Sequence, residues 1–362
     1  MPPPSCRHMS PPSPAAARRL HLAIATSSTL AYSVQDANIA NAIHRYSLQI
    51  ERCIKAKEVQ IGRLLHSNLI KTSLILNTFI ANRMVEMYAK CGCVSSAQLA
   101  FEEIPAKNTH SWNTLLSSHC RAGQFDIVHA LLDEMPKRNL VSYNTMISGL
   151  THYGHYHKAL EVFRKMQREC SSSIIADEFT VVGVVSACGG AADLDSLRQL
   201  HGVVVSVDLE FNQIMYNTMI DAYGKCGDAD SSRRLFDEMS TRDVVSWTSM
   251  VGAYASIGRL EEARQVFDMI PFRNAVSWTA LITGYAQHGQ GDAALKLFEE
   301  MMEEGFYPTP FTLVSAVSAC TCMALIGRGK QLHGYLVRRT VESGYYGNVF
   351  IQNALVDMYA KC

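Results

Sequence analysis

The sequence repeats itself at a spacing of 31 residues. Two sets of three polar residues show this spacing, namely Asn82, Asn113 and Asn144, and then Asn217, Thr248 and Thr279. A longer period is superimposed on it, because Trp112 and Trp247 lie 135 residues apart. Self-similarity at a period of 20–50 residues is the signature of repeat architectures. A chain of this kind must bury its apolar residues by stacking each unit on its neighbours.

Each repeat has the pattern of two helices. In 244–274, apolar residues from Trp247 to Tyr254 recur at i, i+3, i+4 and i+7, which predicts one amphipathic helix. Gly258 can take the left-handed conformation that ends such a helix. A second apolar stripe follows it and stops before Pro271, which cannot continue a helix. The predicted fold is all-α, a right-handed α-solenoid superhelix of stacked helix-turn-helix repeats.

The predicted organisation has three parts. Residues 1–35 contain basic residues but no acidic ones and are rich in Pro, Ser and Ala, which is typical of an organellar transit peptide. We expect this leader to be disordered and followed by a linker over 36–42. The repeat array covers 43–362, with predicted boundaries 43–77, 78–108, 109–139, 140–177, 178–212, 213–243, 244–274, 275–309, 310–348 and a partial repeat 349–362.

Composition restricts the possible functions. The chain has 33 basic and 33 acidic residues, whereas proteins that hold nucleic acid mainly through phosphates are usually strongly basic. Any RNA binding should therefore depend on base contacts or on a local basic stripe. Eleven cysteines, an odd number, in a chain without a secretory signal favour reduced thiols. No run is long and apolar enough to predict a membrane span.

Motifs for chemistry are missing from the sequence. A zinc deaminase needs H-x-E together with P-C-x-x-C, and neither occurs. Nor does the phosphate-binding motif G-x-x-x-x-G-K-[ST] occur. The recurring His66, His201 and His333 occupy equivalent repeat positions, which favours a structural role. We therefore predict no enzyme, no catalytic residues, no metal, no cofactor and no small-molecule substrate.

Several phrases of the sequence carry a family resemblance. VVSWTSMVGAYASIGRLEEARQVFD, VSWTALITGYAQHGQGDAALKLFEEM and NALVDMYAKC resemble plant pentatricopeptide repeat proteins over about 43–362. Mixed repeat lengths of 31 and 35 resemble the subclass built from P, L and S motifs, and 43–77, 178–212 and 310–348 look like its L motifs. Members of this subclass usually direct C-to-U editing of organellar transcripts, and many carry C-terminal extensions. The sequence stops at Cys362, so we expect a C-terminally truncated member.

The resemblance implies a set of RNA-binding residues. In the family, the fifth and last residues of a repeat determine the base that it binds. Carried over, this rule gives six pairs, which are Asn82 with Asn108, Asn113 with Asn139, Asn144 with Asp177, Asn217 with Asp243, Thr248 with Asn274, and Thr279 with Thr309. The family code then predicts the target 5′-Y-Y-U-n-U-A-R-n-3′. The alternative for the last residue is capping of the next helix, alone or together with base recognition.

The second residue of each repeat packs against the base in the family. The corresponding positions here are Phe79, His110, Val141, Phe179, Ile214, Val245 and Val276. The second and fifth residues are three apart, so they share one face of a helix. The alternative for the valines is ordinary packing between repeats.

The predicted function is sequence-specific binding of single-stranded organellar RNA, as a site-recognition factor for C-to-U editing. A deaminase-bearing editing protein acting in trans is a further expected partner. The predicted location is the mitochondrion, with the chloroplast as the alternative. Three other hypotheses stay open, namely a protein-interaction scaffold of the tetratricopeptide type, an enzyme whose catalytic domain lies elsewhere in a longer protein, and a non-functional truncated copy.

Overall fold

A computed structural model describes residues 39–169, 177–207, 211–343 and 348–362 of the chain. These residues are helical, apart from turns and one short 3-10 helix, and no strand occurs among them. The expected transit peptide lies outside the described residues. The first described helix spans 39–56, so it includes residues 39–42 of the expected linker. Residues 39–42 read IANA and contain neither Pro nor Gly, so nothing in them interrupts a helix.

Two compact units divide the chain between Lys137 and Arg138. The helices of the first unit are α1 (39–56), α2 (Val59–Lys71), α3 (Thr78–Lys90), α4 (Val94–Glu102), α5 (Thr109–Arg121) and α6 (Phe125–Glu134), with a 3-10 helix over Leu74–Leu76. Helix α3 packs on α4 and on α5, and α5 packs on α6. Side chains such as Met84, Val85 and Leu115 are fully buried between them.

The second unit contains thirteen described helices. These are α7 (Leu140–His152), α8 (Tyr156–Glu169), α9 (Glu178–Ala191), α10 (Leu194–Ser206), α11 (Gln213–Lys225), α12 (Ala229–Glu238), α13 (Val244–Ser256), α14 (Leu260–Asp268), α15 (Ala275–Gln287), α16 (Gly291–Glu303), α17 (Pro310–Cys322), α18 (Ile326–Ser343) and α19 (Val349–Lys361). The odd-numbered first helices pack on one another in succession, and each even-numbered second helix packs on the first helix that follows it. This is the α-solenoid arrangement that the repeat pattern predicted.

Local sequence determines where the helices end. Helix α13 ends at Ser256, and Gly258 has φ +79°, a left-handed conformation that glycine adopts without steric cost. Helix α14 then ends at Asp268, ahead of Pro271. Both ends agree with the expectation from the sequence.

Aromatic pairs join successive repeats. Trp278 is 1% exposed, and its ring lies 4.6 Å from that of Phe267 in an edge-to-face arrangement. Such pairs add about 0.5–1.5 kcal/mol beyond the burial of their area. Among the described residues, no helix is long and apolar enough to cross a membrane.

Candidate nucleic-acid interface

The last residue of each predicted repeat lies directly before the next first helix and caps it. In all six predicted pairs, the side chain of the last residue accepts a hydrogen bond from the backbone N–H of the third helical residue. The six capping residues are Asn108, Asn139, Asp177, Asp243, Asn274 and Thr309. A cap of this type contributes about 1 kcal/mol. Capping thus fixes the position of each of these side chains at the N-terminus of a first helix.

Three of the predicted pairs are in direct contact. The amide Nδ2 of Asn82 donates to Oδ1 of Asn108 at 3.4 Å. Equivalent contacts join Asn144 to Asp177 at 3.0 Å and Asn217 to Asp243 at 3.4 Å. The members of each pair are 26 or 33 residues apart in sequence, so the stacking of helices brings them together.

The pair Thr279 and Thr309 is joined through a third side chain. The hydroxyl of Thr312 lies 2.6 Å from the hydroxyl of Thr279 and 2.8 Å from that of Thr309. Thr248 instead donates its hydroxyl to the carbonyl of Val244 in its own helix, at 2.7 Å.

The remaining predicted residues lie at the same repeat positions. Asn274 accepts from two backbone N–H groups of α15, those of Val276 and Ser277. Asn113 is the fifth residue of α5 and is half-buried, whereas Asn139 caps α7.

The fifth residues Asn82 and Asn217 each carry a buried oxygen without a partner among the described residues. Oδ1 of Asn82 and Oδ1 of Asn217 accept no hydrogen bond from any described residue, and Asn82 as a whole is only 5% exposed. Leaving a buried acceptor unpaired costs about 1–3 kcal/mol. A buried acceptor without a donor needs an explanation, such as a water or a ligand that donates to it.

The two aspartates of the pairs are ionised at neutral pH. Burial raises the pKa of the Asp177 carboxyl, but hydrogen bonds from Thr180 and Asn144 outweigh this effect and hold its pKa below the usual range. The pKa of Asp243 is lowered in the same way, because hydrogen bonds from Ser246 and Asn217 outweigh burial. Each ionised carboxylate can only accept hydrogen bonds.

The second residues form a regular set of exposed side chains. The apolar members are each more than half exposed, from 55% for Phe79 to 77% for Phe179, and His110 is exposed as well. The predicted base-packing residues Phe79, Val141, Ile214, Val245 and Val276 all belong to this set. Exposure on this scale excludes the alternative that the valines are interior packing residues. Scattered exposed apolar residues are common, but a position that is apolar in every first helix from α3 to α19 except α5 needs an explanation.

Two further residues belong to the same set. Phe311 in α17 and Phe350 in α19 are 72% and 71% exposed. Both are second residues in the predicted repeats 310–348 and 349–362, so the repeat register alone could have identified them.

The recurring histidines form hydrogen-bonded pairs with tyrosines and are separate from the fifth and last residues. The recurring histidines each bond a tyrosine hydroxyl, as His201 does to Tyr223 at 2.9 Å and His66 to Tyr88 at 3.2 Å. No group of three or more His, Cys, Asp or Glu suited to a metal ion occurs in the part of the chain that the structure describes.

The fold and these side chains define a class of helix-hairpin repeat protein. Each of the six repeats with a predicted pair presents a polar fifth residue and an exposed second residue on its first helix, and a last residue that caps the next first helix. A model of the PPR repeat matches 110–140, 141–171, 214–244 and 245–274, and a model of the PPR repeat family matches 273–322. The chain belongs to the pentatricopeptide repeat family, as its sequence indicated.

Curated relatives support this assignment. One pentatricopeptide repeat-containing protein of Arabidopsis thaliana is 49% identical over 313 residues, which cover 86% of this chain and 51% of that protein. Two others from the same plant, one named mitochondrial and one named chloroplastic, are 29% and 27% identical and are covered to 40%. The chain thus spans about half or less of the length of these relatives.

A solved structure has the same fold. It is the pentatricopeptide repeat protein PPR10 in complex with an 18-nt psaJ RNA element, which matches with a TM-score of 0.67 at 17% identity. The match covers 82% of this chain and 45% of PPR10. This similarity confirms the α-solenoid fold.

Proposed function

We propose that this protein binds single-stranded RNA sequence-specifically and reads about one base per repeat. The observation that carries the proposal is the contact between fifth and last residues, at 3.0–3.4 Å, in three repeats. Each such pair places the amide of the fifth residue beside an acceptor at the N-terminus of the next first helix. The exposed second residue, on the same helix as the fifth, offers an apolar surface on which a base can pack.

The hydrogen-bonding capacity of the pairs fits base edges. Asp177 and Asp243 are ionised acceptors, which suit the N3–H of uracil. An asparagine amide can both donate and accept, so a pair of asparagines is compatible with either pyrimidine. The family rule makes the same assignments, and PPR10, a member of the family, was solved in complex with an RNA element.

The proposed biological role of this RNA binding is site recognition in RNA editing. The similarity to P, L and S motifs supports a site-recognition factor for C-to-U editing in an organelle, with a deaminase-bearing protein acting in trans. Relatives named mitochondrial and chloroplastic support an organelle, and we propose the mitochondrion, with the chloroplast as the alternative. On this proposal the chain contributes recognition and no catalytic step.

One observation favours a second candidate, a protein-interaction scaffold. The chain is formally neutral, with 33 basic and 33 acidic residues, whereas RNA-binding proteins commonly carry an excess of positive charge. A scaffold would leave the polar pairs as helix caps alone, and it would not discriminate between RNA sequences.

A gel-shift titration separates the two candidates. The full chain is titrated at fixed salt against a single-stranded RNA carrying Y-Y-U-n-U-A-R-n and against a scrambled RNA of equal composition. A variant with Asn217→Thr and Asp243→Asn is titrated alongside. We expect the designed RNA to bind more tightly, and the variant to shift its preference at the fifth nucleotide from U towards A.

The substitution of the capping residue in that variant should leave the helix cap intact. Asparagine caps helices about as well as aspartate, so the start of α13 is preserved. Equal binding of the designed and scrambled RNAs by the wild-type chain would exclude base recognition and favour the scaffold.

A further inference from the structure

The third residue of α9 reaches back to the fifth residue of the preceding repeat. The hydroxyl of Thr180 lies 2.7 Å from Oδ1 of Asn144 and 2.7 Å from Oδ1 of Asp177. Nδ2 of Asn144 donates to the same Asp177 oxygen at 3.0 Å. The three side chains therefore form a closed cluster in which the one hydroxyl proton of Thr180 is shared between two acceptor oxygens, and Thr180 is only 1% exposed.

The third residue of α17 does the same. Thr312 is fully buried, and its hydroxyl contacts those of Thr279 and Thr309 at 2.6 and 2.8 Å. Thr279 also donates to the carbonyl of Ala275 at 2.6 Å. Since a hydroxyl has one proton, this leaves Thr312 to donate to Thr279 and Thr309 to donate to Thr312.

Four other first helices have serine at the third position, namely Ser111, Ser142, Ser246 and Ser277. The contact is missing for the two that follow the repeats of Asn82 and Asn217. Ser111 and Ser246 donate their hydroxyls to the capping residue directly before their own helix, at 3.0 and 2.9 Å. Over the described part of the chain, Oδ1 of Asn82 and of Asn217 has no partner. Buried Thr180 and Thr312 thus contact the fifth residue of the preceding repeat, whereas Ser111 and Ser246 do not.

The contact determines which atoms a base meets. Rotating the Asn144 amide by 180° would place its oxygen against the ionised Asp177 carboxylate, so the hydrogen bonds hold one orientation. The second N–H of Nδ2 and the second lone pair of Oδ1 then remain to bond a ligand, each in a fixed direction. Asn217 also donates to an ionised aspartate, but over a longer distance of 3.4 Å, and its Oδ1 accepts from no described hydroxyl, so its amide is held less firmly.

We propose that Thr180 and Thr312 are positioning residues that sharpen base recognition by the preceding repeat. They hold Asn144 and Thr279 in a single hydrogen-bonding orientation before RNA binds. A preorganised donor or acceptor loses less entropy on binding and penalises a mismatched base more strongly. This inference rests on the proposed function, because it assigns a role within base recognition.

The test uses the full chain and the variant Thr180→Val, which removes the hydroxyl and keeps the shape of the side chain. Gel shifts measure the ratio of Kd values for RNAs with A or U at the third nucleotide, which faces Asn144. We expect this ratio to fall by about tenfold, the equivalent of one good hydrogen bond. The same ratio at the fifth nucleotide, which faces Asn217, should not change.

The matched control is Ser277→Ala. The hydroxyl of Ser277 donates to the backbone carbonyl of Asn274 and not to a fifth residue. Its removal weakens a helix start, so it reports the effect of lost stability alone. We expect discrimination at the sixth nucleotide to remain as in the wild type.

The outcomes distinguish the inference from the proposed function. A wild-type chain that binds every RNA alike contradicts the proposed function. A wild-type chain that discriminates, together with a Thr180→Val variant of unchanged ratio, contradicts the inference alone. If Thr180→Val does not fold, Ser246→Thr decides, because the added contact should raise discrimination at the fifth nucleotide, and an unchanged ratio there overturns the inference.

Discussion

At the scale of single residues, base recognition and helix capping share the same side chains. Asp243 accepts hydrogen bonds from the backbone of α13 and also from Asn217. Its Oδ1 atom is used in both contacts, which leaves its second oxygen for a ligand. A side chain that is already ordered by a cap loses little entropy on binding.

We expect the fifth residue to strengthen RNA binding and to lower the free energy of unfolding. Asn82 is buried with an unpaired oxygen, and alanine is the better helix former. We expect Asn82→Ala to leave the free energy of unfolding unchanged or to raise it by about 1 kcal/mol, while RNA binding weakens. Urea unfolding and gel shifts measure the two effects.

Asn108→Ala is the matched comparison for that substitution. It removes the cap of α5, and it should lower the free energy of unfolding by about 1 kcal/mol. A large loss of stability in Asn82→Ala would show that the amide is a structural group and would remove the basis of this prediction.

A second residue-scale prediction concerns pH. Asp193 caps α10 and accepts from the backbone and the hydroxyl of Ser196 at 3.0 and 2.7 Å. These hydrogen bonds, the backbone one foremost, lower the pKa of its carboxyl. A lowered folded-state pKa gives stability that is complete above the unfolded-state pKa of about 3.9 and is lost as the pH falls through the folded-state value.

The test compares Asp193→Asn and Asp193→Ala with the wild type by urea unfolding between pH 7 and pH 3. At pH 7, alanine should cost about 1 kcal/mol and asparagine much less, because it still accepts from the helix N–H groups. Below pH 4, the wild type should lose its advantage over alanine. An advantage that stays constant with pH would mean that Asp193 makes no contribution as an ion.

At the scale of helices, the first helices approach one another closely because their contacts are made by small residues. A Cβ atom added to Gly224 in α11 would lie 2.7 Å from the Cα of Ala253 in α13. That distance is shorter than a van der Waals contact, so the helices would have to move apart. Gly252, also in α13, has no atom within 4 Å of the corresponding position.

These two glycines make a paired prediction. Gly224→Ala should lower the free energy of unfolding by about 1–3 kcal/mol, because it overpacks the contact between α11 and α13. Gly252→Ala should raise it by up to about 1 kcal/mol, since alanine favours the helix and meets no neighbour. Thermal unfolding followed by circular dichroism measures both, and effects of the same sign would contradict the packing argument.

Basic residues near the repeat ends serve the second helices. Arg242 donates to the carbonyls of Phe236 and Asp237 at the end of α12, at 2.9 and 3.0 Å. Its guanidinium also lies 4.8 Å from the centre of the Phe236 ring. Arg273 makes the same ring contact with Phe267 at 4.8 Å. Arg242 thus satisfies helix carbonyls, Arg273 pairs with carboxylates, and both stack on rings, which makes them less available to phosphate groups.

At the scale of the whole molecule, neutral charge and occupied arginines predict weak dependence on salt. Each phosphate contact on a single strand adds a slope of about −0.7 to a plot of log K against log salt. We expect the affinity for the designed RNA to fall by well under a thousandfold between 50 and 200 mM salt, the loss that about seven contacts would give at this slope. Filter binding measures it, and a steeper loss would show that phosphates dominate.

Much of the fold follows from sequence periodicity. The helix pairs, the left-handed glycine at Gly258 and the second helix that ends ahead of Pro271 were all predicted, because these signals are local and recur in each repeat. The exposure of Val141, Val245 and Val276 was not determined by sequence. An apolar residue two positions into a helix can face either the interior or solvent, and only packing decides between them.

In the candidate site too, some features follow from the sequence and others only from tertiary packing. By itself, the sequence determined which residues share a repeat position and which of them can cap a helix, because both depend on spacing and side-chain chemistry. Tertiary structure alone decided that Asn82 meets Asn108, that the oxygens of Asn82 and Asn217 stay unpaired, and that Thr180 holds Asn144. Those contacts depend on how one helix hairpin stacks on the next, and displacements of about 1 Å make or break a hydrogen bond.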